Sequence, residues 1–427
     1  MKRLLAIAFS LMALAGLADA YTVSDVSARQ RWPWNGLVDV DFTIGGASVA
    51  DLFKVEVEAT CDGGTTKLYA RTYLNEPLRG PGYNRITWDL AADYPELKVD
   101  DLQVAVTVTP LSRAQTDSQS VYMVIDLSSG PNATRYPVRY TTTAPTLVPT
   151  NDLVACAADP NRTTKLWLKR VSERTQPFNS YDTGKAGLFK VHLSAYYIGL
   201  FEVSQKQWNL VMGTWPSRFT NETYRAARPV EMIKHSDILG HDNWPDSKTV
   251  GENSFVGRVR ARTGLSTFNL PTEAQWECAC RAGNVGSTST MGARYNIPSS
   301  RYNSYNYNEG PDDGTALVGS YTANAWGFYD FYGNVKELCL DSYVGDSALK
   351  SYYMAMYPDQ DITSESEPVP DPIGPPHVAD GQTRNHVGRG GAWDNSGGYC
   401  NNWKWEGLAN SNSSRVGARV AVSPDWQ

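Results

Sequence analysis

Between Leu37 and Ile125, apolar and polar residues alternate in short runs. A period of two lets an extended strand bury one face and wet the other, so this stretch cannot be a helical bundle. Leu37–Ile44, Phe53–Glu58, Ile86–Trp88, Val104–Val108 and Val121–Ile125 read as strands. Turns fall at Gly45-Gly46, Asp62-Gly63-Gly64 and Ser129-Gly130-Pro131-Asn132. Several strands at close spacing with such turns predict an immunoglobulin-like β-sandwich over residues 21–140. The stretch holds no histidine, and no paired carboxylates or phosphate-binding glycine loop stand out. It reads as a structural or docking module.

What precedes it sets the compartment. Lys2-Arg3, the apolar run Leu4–Leu17 and Ala18-Asp19-Ala20 form the pattern of a secretory signal peptide over residues 1–20. The run is shorter than the ~20 residues that cross a bilayer, so it is not read as an anchor. The expected mature chain is secreted, periplasmic or at the cell surface, with no transmembrane span; a mean hydropathy of −0.41 agrees. Cysteines 61, 156, 278, 280, 339 and 400 would then meet an oxidising environment. They contain no CxxC, and Cys278 and Cys280 are too close for a zinc knuckle. A net charge of −6 argues against a nucleic-acid partner.

After Tyr140 the texture changes. Thr141–Thr150 is rich in Thr and Pro and opens a connector assigned to residues 141–163. From 164 to 427 short helices and strands are separated by aromatic, glycine-rich loops. One helix should start after Thr272, with Gln275 completing a capping box, and another should run from Ser204 to Met212. Among the five histidines His235 and His241 are six apart and no HxxxH pair exists, so they read as packed or solvated.

Seven segments of this second part, taken in order, resemble the formylglycine-generating enzyme (sulfatase-modifying factor) family. They are Tyr197–Trp208, Arg228–Glu231, Leu270–Glu277, Asn324–Asp330, Gly333–Glu337, Arg389–Trp393 and Arg415–Arg419. The resemblance implies a loop-rich α+β fold related to C-type lectins and is silent on residues 21–150. It also implies a calcium ion held by side-chain oxygens of Asp330 and Glu337 and by the carbonyls of Gly333 and Val335. Hard Ca²⁺ favours such an all-oxygen set from a curled loop. A second family calcium site would fall near Asn303 and Asp312-Asp313, where the register is not assignable.

Aerobic members of the family bind Cu(I) through two cysteines five residues apart, as a soft ion prefers. Here the first position is Asn395 and the second Cys400. Further departures are Lys336 for a tryptophan, Gly417-Ala418-Arg419 for a closing Gly-Phe-Arg, and Trp405 where some members pair a cysteine with the match of Cys280. Copper is therefore not expected. Cys400 is left as a catalytic thiol, half of a disulfide with Cys339, or a buried small side chain. The expected function is an exported sulfatase-modifying-factor-like protein without the copper oxidase activity. One alternative is an active oxidase that uses Cys400 on a client sulfatase, and a related one is a different oxidation on the same scaffold. Another is a lectin-like module whose Tyr399, Trp403 and Trp405 stack on a glycan or peptide beside the Asn410–Ser414 run.

Overall fold

The computed structural model describes residues 21–31, 36–98, 101–149, 152–178, 189–245, 247–283, 314–358, 367–376, 385–395, 399–402 and 404–424. The leader at 1–20, the second calcium region and Trp403 lie outside the described residues.

The first part is β-rich. Its strands are β1 (Thr22–Gln30), β2 (Leu37–Gly45), β3 (Phe53–Cys61), β4 (Thr66–Tyr69), β5 (Leu78–Arg79), β6 (Gly82–Asp89) and β7 (Gln103–Pro110). In β3 the alternation is carried through: Phe53, Val55, Val57 and Ala59 are buried, while Lys54, Glu56 and Glu58 are exposed. β2 pairs with β1 and β6, and β3 with β4, β5 and β7, all antiparallel. Val40, Phe42, Val55, Val57, Ile86, Trp88 and Val106 from both sets form one apolar cluster. Each such side chain contributes about 1.5–3 kcal/mol when fully buried. β2 is covered on its other face too. There Asp41 accepts from Arg85 at 2.6 and 2.8 Å, and Asp39 accepts from Arg31 and Thr87, each at 2.8 Å.

The expected boundary at residue 140 runs through a sheet. β8 (Tyr122–Asp126) and β9 (Val138–Thr141) pair with each other, and β8 pairs with β10 (Lys165–Val171). β9 meets β6 at Asn84 and Val138. With β13 (Tyr196–Gly199), β14 (Phe268–Asn269) and β20 (Ala421–Val422), the result is a nine-stranded sheet ordered β1-β2-β6-β9-β8-β10-β13-β20-β14. Met123, Ile125, Val138 and Tyr140 belong to the same apolar cluster as Leu168, Tyr197, Trp208 and Val259. The connector is not wholly extended either. Short helices Leu153–Ala158 and Pro160–Thr163 are capped by Asp152 and Asp159, with Pro160 at the first helical position. Arg162 is buried there, bonded to the carbonyls of Val318 (2.8 Å) and Val148 (3.0 Å) and paired with Asp159 at 2.7 Å.

The second part adds β11 (Arg174–Phe178), β12 (Phe189–Leu193), β15 (Lys336–Ser342), β16 (Val369–Pro370), β17 (Asn385–Arg389), β18 (Trp405–Ala409) and β19 (Val416–Gly417). Both expected helices form. Thr272 and Gln275 exchange backbone-to-side-chain bonds at 3.2 and 3.1 Å at the start of Glu273–Arg281, and Ser204 with Gln207 does the same before Gln205–Met212. The sheet ordered β18-β17-β15-β19 brings the 330–335 loop and residues 390–395 to one end.

Candidate functional site

The calcium-expectation loop is curled by three left-handed residues, Asp330 (φ 61°), Gly333 (φ 95°) and Asn334 (φ 64°). Only glycine, and less readily Asp and Asn, take that conformation at low cost. Asp330 is buried and accepts from the Gly319 amide at 2.5 Å. Glu337 is held differently: it accepts from Trp276 Nε1 at 2.6 Å and from Arg419 at 2.6 and 2.8 Å. Val335 is buried as β15 begins.

Glu202 is the member of this cluster that the sequence reading missed. It lies inside the Tyr197–Trp208 motif, whose lone acid between apolar residues was the available signal. Its Oε2 accepts from Asn334 at 3.3 Å, while the buried Oε1 has no hydrogen-bond partner among the described residues. Burial, then Asp330 and Glu337, push the Glu202 carboxyl well above its ordinary range. Burial chiefly also raises Asp330, to about 6. Arg419, and for Asp330 also Arg162, oppose that rise without cancelling it; a cation bound among these carboxyls would favour their charged forms. No set of three or more His, Cys, Asp or Glu side chains among the described residues is arranged to grip a metal unaided.

Asn395 and Cys400 are not equivalent halves of a thiolate pair. The Asn395 carboxamide oxygen accepts from the Ala392 amide at 3.0 Å, and its own amide donates to the Ala392 carbonyl at 2.9 Å. The side chain is spent on closing that turn. Cys400 is buried with its Sγ against the loop glycines; a Cβ on Gly391 would come within 2.7 Å of it. Burial pushes the thiol up to about 12, against a lowering by Lys336 and with a further raising by Asp394. All six cysteines are free and buried, Cys339 and Cys400 included. Lys336 is buried and ion-paired to Glu406. Arg389 fastens the segment after Cys400 by donating to the Asn402 carbonyl at 2.7 Å.

The aromatic candidates divide. Tyr399 is exposed, with the Lys404 ammonium 4.0 Å from its ring centroid. Trp405 is half-buried against exposed Tyr343, centroids 4.9 Å apart. Asn410 points inward: it accepts from the Ser236 amide at 3.2 Å and donates to Asp242 at 3.3 Å.

The profile of the "Sulfatase-modifying factor enzyme 1-like domain" matches residues 166–424. The "Chaperone protein LppX" of Paenibacillus barcinonensis is 32% identical over 181 residues, which is 35% of this chain and 63% of that protein. A "Formylglycine-generating enzyme" of Streptomyces coelicolor is 33% identical over 198 residues, 44% of this chain and 51% of that one. Among solved structures, Treponema denticola variable protein 1 aligns with a TM-score of 0.41 at 26% identity, over 61% of this chain and 96% of that one. The chain therefore spans between half and two thirds of the length of these two curated relatives. The profile match covers more than half of the sequence, and the chain belongs to the sulfatase-modifying factor enzyme 1-like (formylglycine-generating enzyme-like) domain family.

Proposed function

We propose that this chain is an exported binding protein on a formylglycine-generating-type scaffold, without the copper-dependent cysteine oxidation of the aerobic enzymes. The observation that carries the reading is the Asn395 turn. Cu(I) takes soft thiolates. Asn395 offers only a hard amide oxygen already accepting from Ala392, and Cys400 would have to release a proton held to about 12. The residues do not fit copper.

They do fit calcium. Asp330 and Glu337, with the carbonyls of Gly333 and Val335 and with Glu202 beside them, are the groups that would hold it, and the burial that raises Glu202 and Asp330, which a cation would offset, supports this. Bound there, the ion would supply positive charge and stiffen the loop entering β15; it takes no part in a reaction. Exposed Tyr399 and Tyr343, half-buried Trp405 and the Lys404 ammonium offer rings and a cation suited to stacking on a glycan or an extended peptide. The β-rich first part, read as an immunoglobulin-like sandwich, serves as a docking module.

The test uses the mature chain with Cu(I) and a Cys-x-Pro-x-Arg peptide, followed by mass spectrometry, alongside glycan and peptide arrays. We expect no thiol-to-aldehyde conversion, and array binding that weakens in Tyr399→Ala. Conversion that disappears in Cys400→Ala would replace this reading with that of an oxidase acting on a client sulfatase.

A further inference from the structure

One face of β10 carries cations laid over aromatic rings. Lys165, Trp167 and Lys169 alternate along the strand with Leu166 and Leu168, which turn to the opposite face and the cluster of Met123 and Ile125. Register sets Tyr122 beside Lys169, and Val124 of β8 stands between Trp167 and Arg139 of β9. The Arg139 guanidinium carbon lies 5.6 Å from the Trp167 ring centroid, and the Lys169 ammonium lies 5.3 Å from that of Tyr122. The two rings are 6.1 Å apart. Lys169 also donates to the Trp326 carbonyl at 2.5 Å, and Arg174 covers the Trp326 ring at 4.4 Å. Trp167 and Tyr122 are buried, while Arg139, Lys165, Lys169, Arg174 and Trp326 are half-buried.

These cations are not matched by anions. Among the described residues none of Arg139, Lys165, Lys169 and Arg174 forms an ion pair, and Arg174 Nε is buried with no hydrogen-bond partner. Stacking occupies the flat face of a guanidinium and leaves its edge N–H groups to donate. The neighbouring acids are engaged elsewhere. Asp126, opposite Lys165 in the register, accepts from the Ser128 amide at 2.9 Å. Asp159 pairs with Arg162, Glu173 with Arg113, and Glu76 accepts from the Thr142 amide at 2.9 Å. Burial, then Arg139, lower Lys165 against the pull of Asp126 and Asp159, and burial lowers Lys169. Arg79, wholly buried, is held down to about 9 by burial and then by Arg139. Half-buried charge kept without a counter-charge costs stability, and a bound anion would offset that cost. The chain as a whole carries −6, so this strip runs against its average.

Spacing and chemistry select the ligand. Lys165 and Lys169 stand about 13 Å apart along the strand, and Arg139 lies two strands away, about 10 Å to the side. No single phosphate or carboxylate reaches across such distances, whereas a polymer with a negative group on successive units does. β8, β10 and β13 are paired on both edges, so an extended peptide cannot add itself here as a strand. Half-buried Trp326 offers ring surface to the face of a sugar. We propose that this strip binds an anionic polysaccharide, with carboxylates or sulfates taken by Arg139, Lys165 and Arg174 and a sugar ring against Trp326. The strip shares no residue with the Tyr399–Trp405 surface, and the proposal is independent of the binding reading above.

The test measures binding of the mature chain to labelled heparin and labelled polygalacturonate by fluorescence anisotropy, with polyglutamate as the peptide polyanion. Both polysaccharides should bind at about 50 mM salt and weaken at about 200 mM, because salt screens charges at a protein surface. Arg139→Gln, Lys165→Gln and Arg174→Gln should each weaken binding by roughly tenfold, the loss of one charge-assisted hydrogen bond. Lys54→Gln, in the first part of the chain, should leave the affinity unchanged. Absence of binding at the lower salt, or affinity unchanged in all three strip variants, overturns the proposal. So does polyglutamate binding as tightly as either polysaccharide. Binding lost in Tyr399→Ala but kept in the strip variants would place the polysaccharide on the other surface, and would equally overturn it. Should the strip variants not fold, acetylation of the native chain decides, read by mass spectrometry. Bound polysaccharide should protect Lys165 and not Lys54; equal modification of Lys165 with and without polysaccharide overturns the proposal.

Discussion

The β-rich first part and the family domain are stabilised by different means. In the first, the interior is a lattice of Val, Ile, Phe and Trp side chains from strands with period two, and its ion pairs lie outside that lattice, those of Asp39 and Asp41 on the other, covered face of β2. In the second, charges go inside. Arg389 is fully buried between Glu273 (3.0 Å) and Glu277 (2.8 Å) and lies over the Trp276 ring at 4.9 Å; Arg281 closes on Glu277 at 2.7 Å. Arg419 does the same work for Glu337. An apolar lattice tolerates exchange of similar volumes. A buried ionic network tolerates little, because removing one partner strands the others. This network joins the helix Glu273–Arg281 to β17 and reaches β15, the strands that flank the loops carrying the candidate site.

The largest expected effect tests this contrast directly. Arg389→Met removes the buried cation shared by Glu273 and Glu277, leaving Arg281 on Glu277, and should cost about 3–5 kcal/mol in urea unfolding. Loss of under about 1 kcal/mol would mean the network is decoration.

A smaller effect concerns pH. Burial chiefly pushes the Asp341 carboxyl up to about 7, while its Oδ2 accepts from the Glu273 amide at 2.6 Å. The folded chain therefore keeps a proton that the unfolded chain, at about 3.9, releases. That contribution is complete below about pH 4 and is lost as pH rises to about 7. Asp341→Asn keeps the acceptor without the charge, so it should raise stability by up to about 4 kcal/mol at pH 8 and by nothing measurable at pH 4. A pH-independent gain would remove the titration argument.

Calcium sharpens the same contrast. EDTA should lower the melting temperature of the second part by several degrees, as expected when a ligand bound only to the native state is withdrawn, and leave the first part unchanged. Glu202→Gln separates two outcomes. If Glu202 is a ligand, the substitution abolishes the calcium-dependent gain. If it only suffers from Asp330 and Glu337, the substitution stabilises the protein with or without calcium. Identical melts in EDTA and calcium, with no bound metal by elemental analysis, end the calcium reading.

The smallest effects belong to the first part. Ile86→Val should cost about 1 kcal/mol, and Lys54→Ala, breaking an exposed pair with Glu56, under about 0.5 kcal/mol. An Ile86→Val loss equal to that of Arg389→Met would erase the distinction.

Local rules made much of this legible. Alternation marked β2, β3 and β7, and a capping box marked the helix after Thr272. The ordered motifs marked the family from Tyr197 to Arg419. What escaped were relations between distant residues. Period two identifies Tyr122–Asp126 as a strand without saying that β10 is its partner. Glu202 reads as one acid among apolar neighbours until Asn334 and Asp330 arrive beside it. His235 and His386, whose rings stack at 3.5 Å, share no local pattern and meet only in the fold. The Asp152 and Asp159 caps were readable, but the Thr/Pro composition before them suggested an extended connector.

The nine-stranded sheet has a practical consequence for anyone who would cut this chain. The segment that matches the family begins at residue 166, one residue into β10. A fragment starting there would leave behind β8, the strand whose amides and carbonyls cover one side of β10, together with Met123, Ile125 and Tyr140 from beneath it. Its exposed edge would be a template for self-association. The limits of detectable kinship and the limits of an independently folding unit are different places in this molecule, and a soluble fragment should begin ahead of Val121.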